Sequence, residues 1–203
     1  MPKKNTTVYI ILGLLNHEEL SGYDIKKKID YMISHFWEVG YGQIYPTLKT
    51  MEEEGLVLKQ PAGSQKGPER NLYSITEAGR NTLQGWLVLP EAKEYVKYEI
   101  LLKLFFGSTV SVQESQNRIE AFMDRHIQNL DKMKLYTDNL KEVMNEDEDH
   151  LYYYLTVLFG EEVYKAYVNW SQKALAILDE KEKQKEKESE KEKESEKENE
   201  KPQ

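Results

Sequence analysis

Four residues within one short segment, Gln43, Tyr45, Thr47 and Lys49, carry the side chains best suited to chemistry in this chain. That chemistry is recognition. A glutamine amide matches the donor and acceptor on the major-groove edge of adenine, and a lysine pairs with guanine or with a phosphate. Further candidates for phosphate flank the segment: Ser21, Tyr23 and Lys28 before it, Lys59, Lys66 and Arg70 after it. Each has a plainer alternative. Tyr45 follows Ile44 and could be core, Tyr23 could equally be buried, and Lys59, Lys66 and Arg70 could belong to an ordinary polar hairpin.

Chemistry of other kinds finds no constellation. With no cysteine, disulfides, thiolate metal sites and cysteine nucleophiles are excluded. His17, His35, His126 and His150 are scattered, with no pair at the three- or four-residue spacing of metal ligands. No GxSxG, phosphate-binding loop or dinucleotide fingerprint is present. An enzyme is not expected, nor a cofactor or metal.

The elements that would position the candidates follow from periodicity and caps. Thr6 to Leu15 predicts a helix, with Gly13 suggesting close packing because glycine otherwise costs about 1 kcal/mol there. A second helix starts at Ser21, whose hydroxyl and Asp24 fit a capping box. Its apolar side is Ile25, Ile29, Met32 and Ile33, with Lys26-Lys27-Lys28 on other faces. A third helix runs from about Gly42 to Glu54, has Pro46 in its first turn and stops at Gly55. Residues 56–60 and 71–75 read as strands around a loop dense in turn formers, and Thr76 caps a fourth helix ending before Pro90. This order of elements is a winged helix-turn-helix, which places one helix in the major groove and a hairpin on the flanking backbone.

Residues 93–178 read as helical, in segments 92–106, 115–144 and 148–178. The stripe of the second is Met123, Leu130, Met133, Leu140 and Met144, with His126 and Thr137 in polar slots; that of the third includes Leu151, Leu155, Leu158, Trp170 and Ile177. The second would be roughly 45 Å long. Helices of that length need matching helices from a partner chain, so a homodimer is expected. Residues 180–203 lack any apolar face and are expected to form a disordered Lys/Glu-rich tail, at most a transient helix with i, i+4 Glu–Lys pairs. The fold expected is thus mostly α with a small β wing. It comprises a DNA-binding domain over 1–90, a helical dimerisation and possible effector domain over 91–179, and the tail.

The net charge of -8 argues weakly against nucleic-acid binding, yet residues 1–88 hold ten Lys/Arg and ten Asp/Glu. A winged-helix module that binds another protein is the alternative. No stretch approaches the ~18 apolar residues of a membrane span, and no leader cleavage site follows the first apolar run, so a cytoplasmic protein is expected.

Several motifs, in this order and spacing, resemble the PadR family of bacterial transcriptional regulators: Ile10-Ile11-Leu12-Gly13-Leu14-Leu15, Leu20-Ser21-Gly22-Tyr23-Asp24-Ile25, Phe36-Trp37, Gln43-Ile44-Tyr45-Pro46-Thr47-Leu48, Glu54-Gly55-Leu56 and Tyr73-Ser74-Ile75-Thr76-Glu77-Ala78-Gly79. The helical remainder is similar to the longer subgroup with a C-terminal dimerisation domain. The resemblance implies a homodimeric repressor on a roughly palindromic operator, released by a small aromatic molecule such as a phenolic acid. Trp37, Trp86, Tyr95, Tyr98 and Tyr154 could line a pocket for it between the domains or across the dimer; ordinary core packing is the other reading of each. A regulator with no small-molecule effector is the remaining alternative.

Overall fold

The computed structural model describes residues 5–62, 70–94 and 96–199, with the backbone alone at Ala62, Arg70 and residues 192–199. The chain divides into two compact units, Met1–Glu94 and Tyr95–Gln203.

The first unit orders α1 (Thr7–Leu15), β1 (Leu20–Ser21), α2 (Gly22–Lys28), a π-helical turn (Ile29–Ile33), α3 (Tyr41–Glu53), β2 (Val57–Ala62), β3 (Arg70–Ile75) and α4 (Glu77–Leu87). Its core gathers Ile11 and Leu12 from α1, Ile25 and Ile29 from α2 and the π turn, Ile44, Leu48 and Met51 from α3, and Val57 from β2, all essentially sealed from solvent. At roughly 1.5–3 kcal/mol for each fully buried aliphatic side chain, this cluster fixes which face of α3 is left outside. Hydroxyls cap two helices: Ser21 Oγ accepts from the Asp24 N–H, and Thr76 Oγ1 accepts from the Gly79 N–H. Gly55, at φ 71°, ends α3 in the left-handed conformation while the Leu56 N–H reaches back to the Met51 carbonyl at 2.8 Å.

Local pattern misses three features of this unit. The wing is not a two-stranded ribbon: β1 pairs with β3 (Leu20 with Tyr73, Ser21 with Leu72), giving the antiparallel order β1-β3-β2. The first wing strand runs on through Pro61 to Ala62; β2 is an edge strand, where a residue lacking an N–H is tolerated. The second helix is not α-helical to its end, since the Ser34 N–H bonds the Ile29 carbonyl five residues back. Gly13 is corrected too. A β-carbon there would meet nothing within 4 Å, whereas one at Gly22 or Gly79 would collide with a neighbour.

The second unit comprises α5 (Glu99–Phe105), a 3₁₀ turn (Gly107–Thr109), α6 (Val112–Val143) and α7 (Glu148–Asn199). The expected start of α5 at 92 is corrected to Glu99, as described residues from Glu91 to Tyr98 are not helical and carry Val96 as their sole aliphatic side chain beyond Ala92. Helix α6 begins three residues earlier than expected because Ser111 caps it, accepting from the Glu114 N–H. Its inward stripe is Ile119, Phe122, Leu130, Met133 and Thr137, so Phe122 replaces the expected Met123. Helix α7 packs on α6 through Glu161, Val168 and the fully buried Ser171; opposite Gly160, Met133 Sδ approaches to 3.2 Å from where a β-carbon would stand. Glu161 holds its carboxyl below the usual range through hydrogen bonds from Lys165 and Thr137. Of the expected stripe, Leu151, Leu155 and Ile177 are exposed in the single chain, alongside Tyr152 and Phe159 (69 % exposed).

The disordered tail expected over 180–203 is corrected as far as Asn199, where α7 continues. Gln116 Nε2 anchors the start of this extension, donating to Asp179 Oδ1 at 2.8 Å and Glu182 Oε2 at 3.2 Å. The expected i, i+4 Glu–Lys pairs are absent from the sequence beyond this point. Its alternation puts like charges four apart, as in Glu182, Glu186 and Glu190, and opposite charges three apart, as in Lys187 and Glu190. Those contributions, each about 0.2–0.5 kcal/mol, largely cancel. The extension persists because elongating a packed helix needs no new nucleus. Removing residues 183–203 is therefore expected to leave the thermal midpoint unchanged; a lower midpoint by circular dichroism would show that the extension supports the fold.

Candidate nucleic-acid interface

The packing of Ile44, Leu48 and Met51 turns Tyr41, Gln43, Tyr45 and Lys49 outward. Tyr41, Tyr45 and Lys49 are spaced four apart and form one ridge along α3, with Gln43 beside it. Lys49 is 78 % exposed, its ammonium 3.8 Å from Glu53, a separation that restrains it little. Thr47 is a correction. It lies 4 % exposed on the core side of α3, its hydroxyl accepting from Asn5 Nδ2 at 3.2 Å, because three and four residues separate it from Ile44 and Met51. It cannot reach a base.

Tyr45 is exposed and owes its place to a missing side chain. A β-carbon on Gly22, the first residue of α2, would stand 2.6 Å from Tyr45 Cε1. Beside this contact opens a recess of about 400 Å³, lined by Tyr23, Tyr45, Lys49, Glu52, Lys59 and Tyr73 among others. Tyr73 is buried at its back, and burial, then the charge of Glu52, raises its hydroxyl pKa. The recess therefore combines two cations, one carboxylate and three phenol rings at the junction of α2, α3 and the sheet. Gly22→Ala is expected to displace the Tyr45 ring and weaken DNA binding about tenfold. The fold should keep or gain stability, since alanine favours the helix by ~1 kcal/mol. Fluorescence anisotropy beside a thermal melt checks both; unchanged binding would detach Tyr45 from the interface.

Not every flanking candidate joins this surface freely. Ser21 is buried, its hydroxyl donating to Asp24 Oδ2 at 2.6 Å, so it caps α2. Lys28 holds Glu18 at 2.7 Å. Tyr23 and Lys59 are exposed at the recess. Arg70 opens β3 opposite Ala62, and Lys66 lies outside the described residues.

One contributor escaped the sequence reading. Lys26 is buried, contrary to the outward placement expected for the basic triplet. It pairs with Asp30, and its ammonium lies 4.7 Å from the centre of the Tyr41 ring. Its spacing of three from Ile29 and four from Asp30 was the available signal.

The aromatic candidates are divided between the two units. In the first unit, Trp37 is half exposed and Trp86 stacks on Tyr9, ring centres 4.6 Å apart. In the second, Tyr154 is half-buried, and Tyr98 shares a 2.7 Å hydroxyl–hydroxyl hydrogen bond with Tyr167. Tyr95 lies outside the described residues. The structure instead gathers Phe122, His126, Tyr164, Tyr167 and Trp170 between α6 and α7. His126 Nδ1 is buried there with no hydrogen-bond partner among the described residues, and desolvation lowers the pKa of its ring. Burial and the Tyr98 hydrogen bond raise that of Tyr167. Among the described residues, no three His, Cys, Asp or Glu side chains could hold a metal ion, and no helix is long and apolar enough to cross a membrane.

Comparison with known proteins places both units. Residues 11–85 match the "Transcriptional regulator PadR-like family" and residues 96–179 match "Virulence activator alpha C-term". The chain is 31 % identical over 176 residues to the negative transcriptional regulator PadR of Bacillus subtilis, covering 85 % of this chain and 97 % of that one. It is similar in structure to Bacillus subtilis PadR in complex with operator DNA (TM-score 0.73, 30 % identity, 86 % of this chain and 99 % of that chain). It is likewise similar to the same regulator in complex with p-coumaric acid (TM-score 0.72, 31 % identity, 86 % and 99 %).

Proposed function

Since the chain belongs to the PadR-like family of transcriptional regulators, we propose that it is a homodimeric repressor whose α3 reads a roughly palindromic operator and which a small aromatic molecule releases. The observation that carries the reading is the outward ridge of Tyr41, Tyr45 and Lys49 with Gln43 beside it, adjoining Lys59 across the recess. Gln43 meets a base edge, Lys49 and Lys59 meet phosphate, and Tyr23, Lys66 and Arg70 extend the phosphate contacts along the wing. The dimer sets two such helices about one turn apart, ~34–36 Å.

Support for the dimer comes from α7. Leu151, Tyr152, Leu155 and Phe159 are exposed in the single chain, an apolar face that a second copy would cover. Support for the effector is the relative solved with p-coumaric acid and the aromatic group joined to Tyr98. A phenolic acid there, with Trp37, Trp86, Tyr95 and Tyr154 as further candidates, would favour a dimer geometry that misfits the operator. A coupling of about 1–3 kcal/mol suffices.

Fluorescence anisotropy of DNA from the protein's own upstream region, against scrambled DNA at two salt concentrations, tests the reading. Preferential binding that weakens with salt is expected, as is release by p-coumaric acid. Binding without release removes the effector and keeps the repressor. No preference for any DNA selected from a random pool would favour the protein-interaction module, which the net charge of -8 otherwise recommends.

A further inference from the structure

We propose that Lys26 is a positioning residue for the recognition helix, acting through the Tyr41 ring that its ammonium faces. The inference rests on the reading of α3 as the element that meets DNA. Helix α3 begins at Tyr41 with no side-chain cap: Gly40 stands at the N-cap position and offers none. A first turn without a cap frays readily, because its amides lack partners. Here that turn carries Tyr41 and Gln43, and Tyr41 begins the ridge that continues through Tyr45 and Lys49.

The Lys26 contact holds this uncapped turn from outside. Its stem is buried on the core side of α2, three residues before Ile29, so the ammonium has little freedom to move. A cation beside a helix N-terminus is opposed by the helix dipole, and Asp30, one turn along, offsets that cost by pairing with it. What remains is the attraction between the ammonium and the face of the Tyr41 ring, 4.7 Å from its centre. The ring is 57 % exposed, and among the described residues the ammonium of Lys26 is the cation that faces it. Lys26, Asp30 and Tyr41 thus tie the end of α2 to the start of α3 and set the rotation at which Gln43 is presented.

A positioning role and a phosphate contact differ in their salt signature. A lysine that touches phosphate contributes about one unit to the slope of log affinity against log salt, and its loss weakens all sequences alike. A positioning lysine leaves the slope unchanged and lowers discrimination. The test uses a duplex selected from a random pool by the wild-type protein, its scramble as control, and the full chain. Lys26→Met and Tyr41→Leu are each expected to narrow the preference for the selected duplex about tenfold with unchanged salt slope. The double variant should do no worse than either alone, and Lys26→Arg should restore the preference. If Lys26→Met fails to fold, Lys26→Gln, which keeps the stem and a polar end while removing the charge over the ring, decides the matter. Preference retained in Tyr41→Leu, additive losses, or a slope lowered by about one in Lys26→Met would overturn the proposal. If the wild-type protein selects no duplex, the reading of α3 fails first, and that outcome is distinguishable from all of these.

Discussion

Gly79→Ala is expected to destabilise the first unit by about 3 kcal/mol, although alanine is the better helix former by roughly 1 kcal/mol. Gly79 lies in the first turn of α4, its N–H donating to Thr76 Oγ1 at 3.0 Å. A β-carbon there would stand 2.3 Å from the Leu56 carbonyl oxygen and 2.8 Å from Ile75 Cγ1. The carbonyl cannot retreat cheaply. It already accepts from the Thr76 N–H at 3.1 Å and the Thr76 hydroxyl at 3.0 Å, and Gly55 before it holds the left-handed turn that ends α3. The overlap is with backbone, so relief requires moving the start of α4 away from the turn that joins α3 to β2. Gly85 on the same helix provides the control, since a β-carbon there meets nothing within 4 Å. Gly85→Ala should stabilise by about 0.5–1 kcal/mol. Urea denaturation followed by far-UV circular dichroism measures both. Equal shifts for the two variants would show that the contact at Gly79 costs nothing. Against a typical domain stability of about 5–15 kcal/mol, the expected loss is a large share.

The second large effect is expected at Gln43. As an exposed residue it contributes little to folding, so Gln43→Ala should leave the melting temperature within about 1 °C, the scale of a few tenths of a kcal/mol. Affinity for a duplex selected by the wild-type protein should fall by about 1–3 kcal/mol, roughly five- to 150-fold, with preference relaxed at one base pair in each half-site. Lys49→Ala should behave differently, weakening selected and scrambled DNA alike and lowering the salt slope by about one. If Gln43→Ala weakened both DNAs equally, its amide would be a phosphate contact, and base reading would have to come from Tyr45 or from DNA shape.

Much of the first unit was legible because its signals are local. Ser21 and Thr76 announce the starts of α2 and α4, Gly55 the end of α3, and the spacing of Ile44, Leu48 and Met51 its buried face. What escaped depends on partners distant in sequence. Nothing about Leu20 and Ser21 marks them as a strand until β3 lies alongside. Lys26 reads as one of three basic residues until its neighbour in space, Tyr41, is known. Thr47 was misassigned because proximity to Gln43 and Tyr45 along the chain outweighed its helical spacing from Ile44. In the second unit periodicity located the helices but not their pairing faces. An apolar residue announces that it should be covered, not by what. Helix α7 has one face for α6 and another, through Leu151, Leu155 and Phe159, that the single chain leaves open. Among the interface candidates, Gln43, Tyr45, Lys49 and Lys59 are exposed. Ser21 is occupied as a cap and Lys28 by Glu18.

The pairing of Leu20 with Tyr73 has a kinetic consequence. It closes a loop of about fifty residues for only two residues of strand, an entropic cost of roughly 3–4 kcal/mol before any compensating contact forms. Strand β1 therefore cannot seed the sheet. It is expected to dock after α2, α3 and the β2–β3 hairpin are in place, and to be the first element to detach when the domain breathes. Its departure would free Ser21 from Leu72 and loosen the hydroxyl that caps α2 beside the recess. Amide hydrogen exchange should accordingly be faster at Leu20 and Ser21 than at Lys59, Tyr73's partner on β2. The cap of α2 would then be held at one edge by the strand expected to form last.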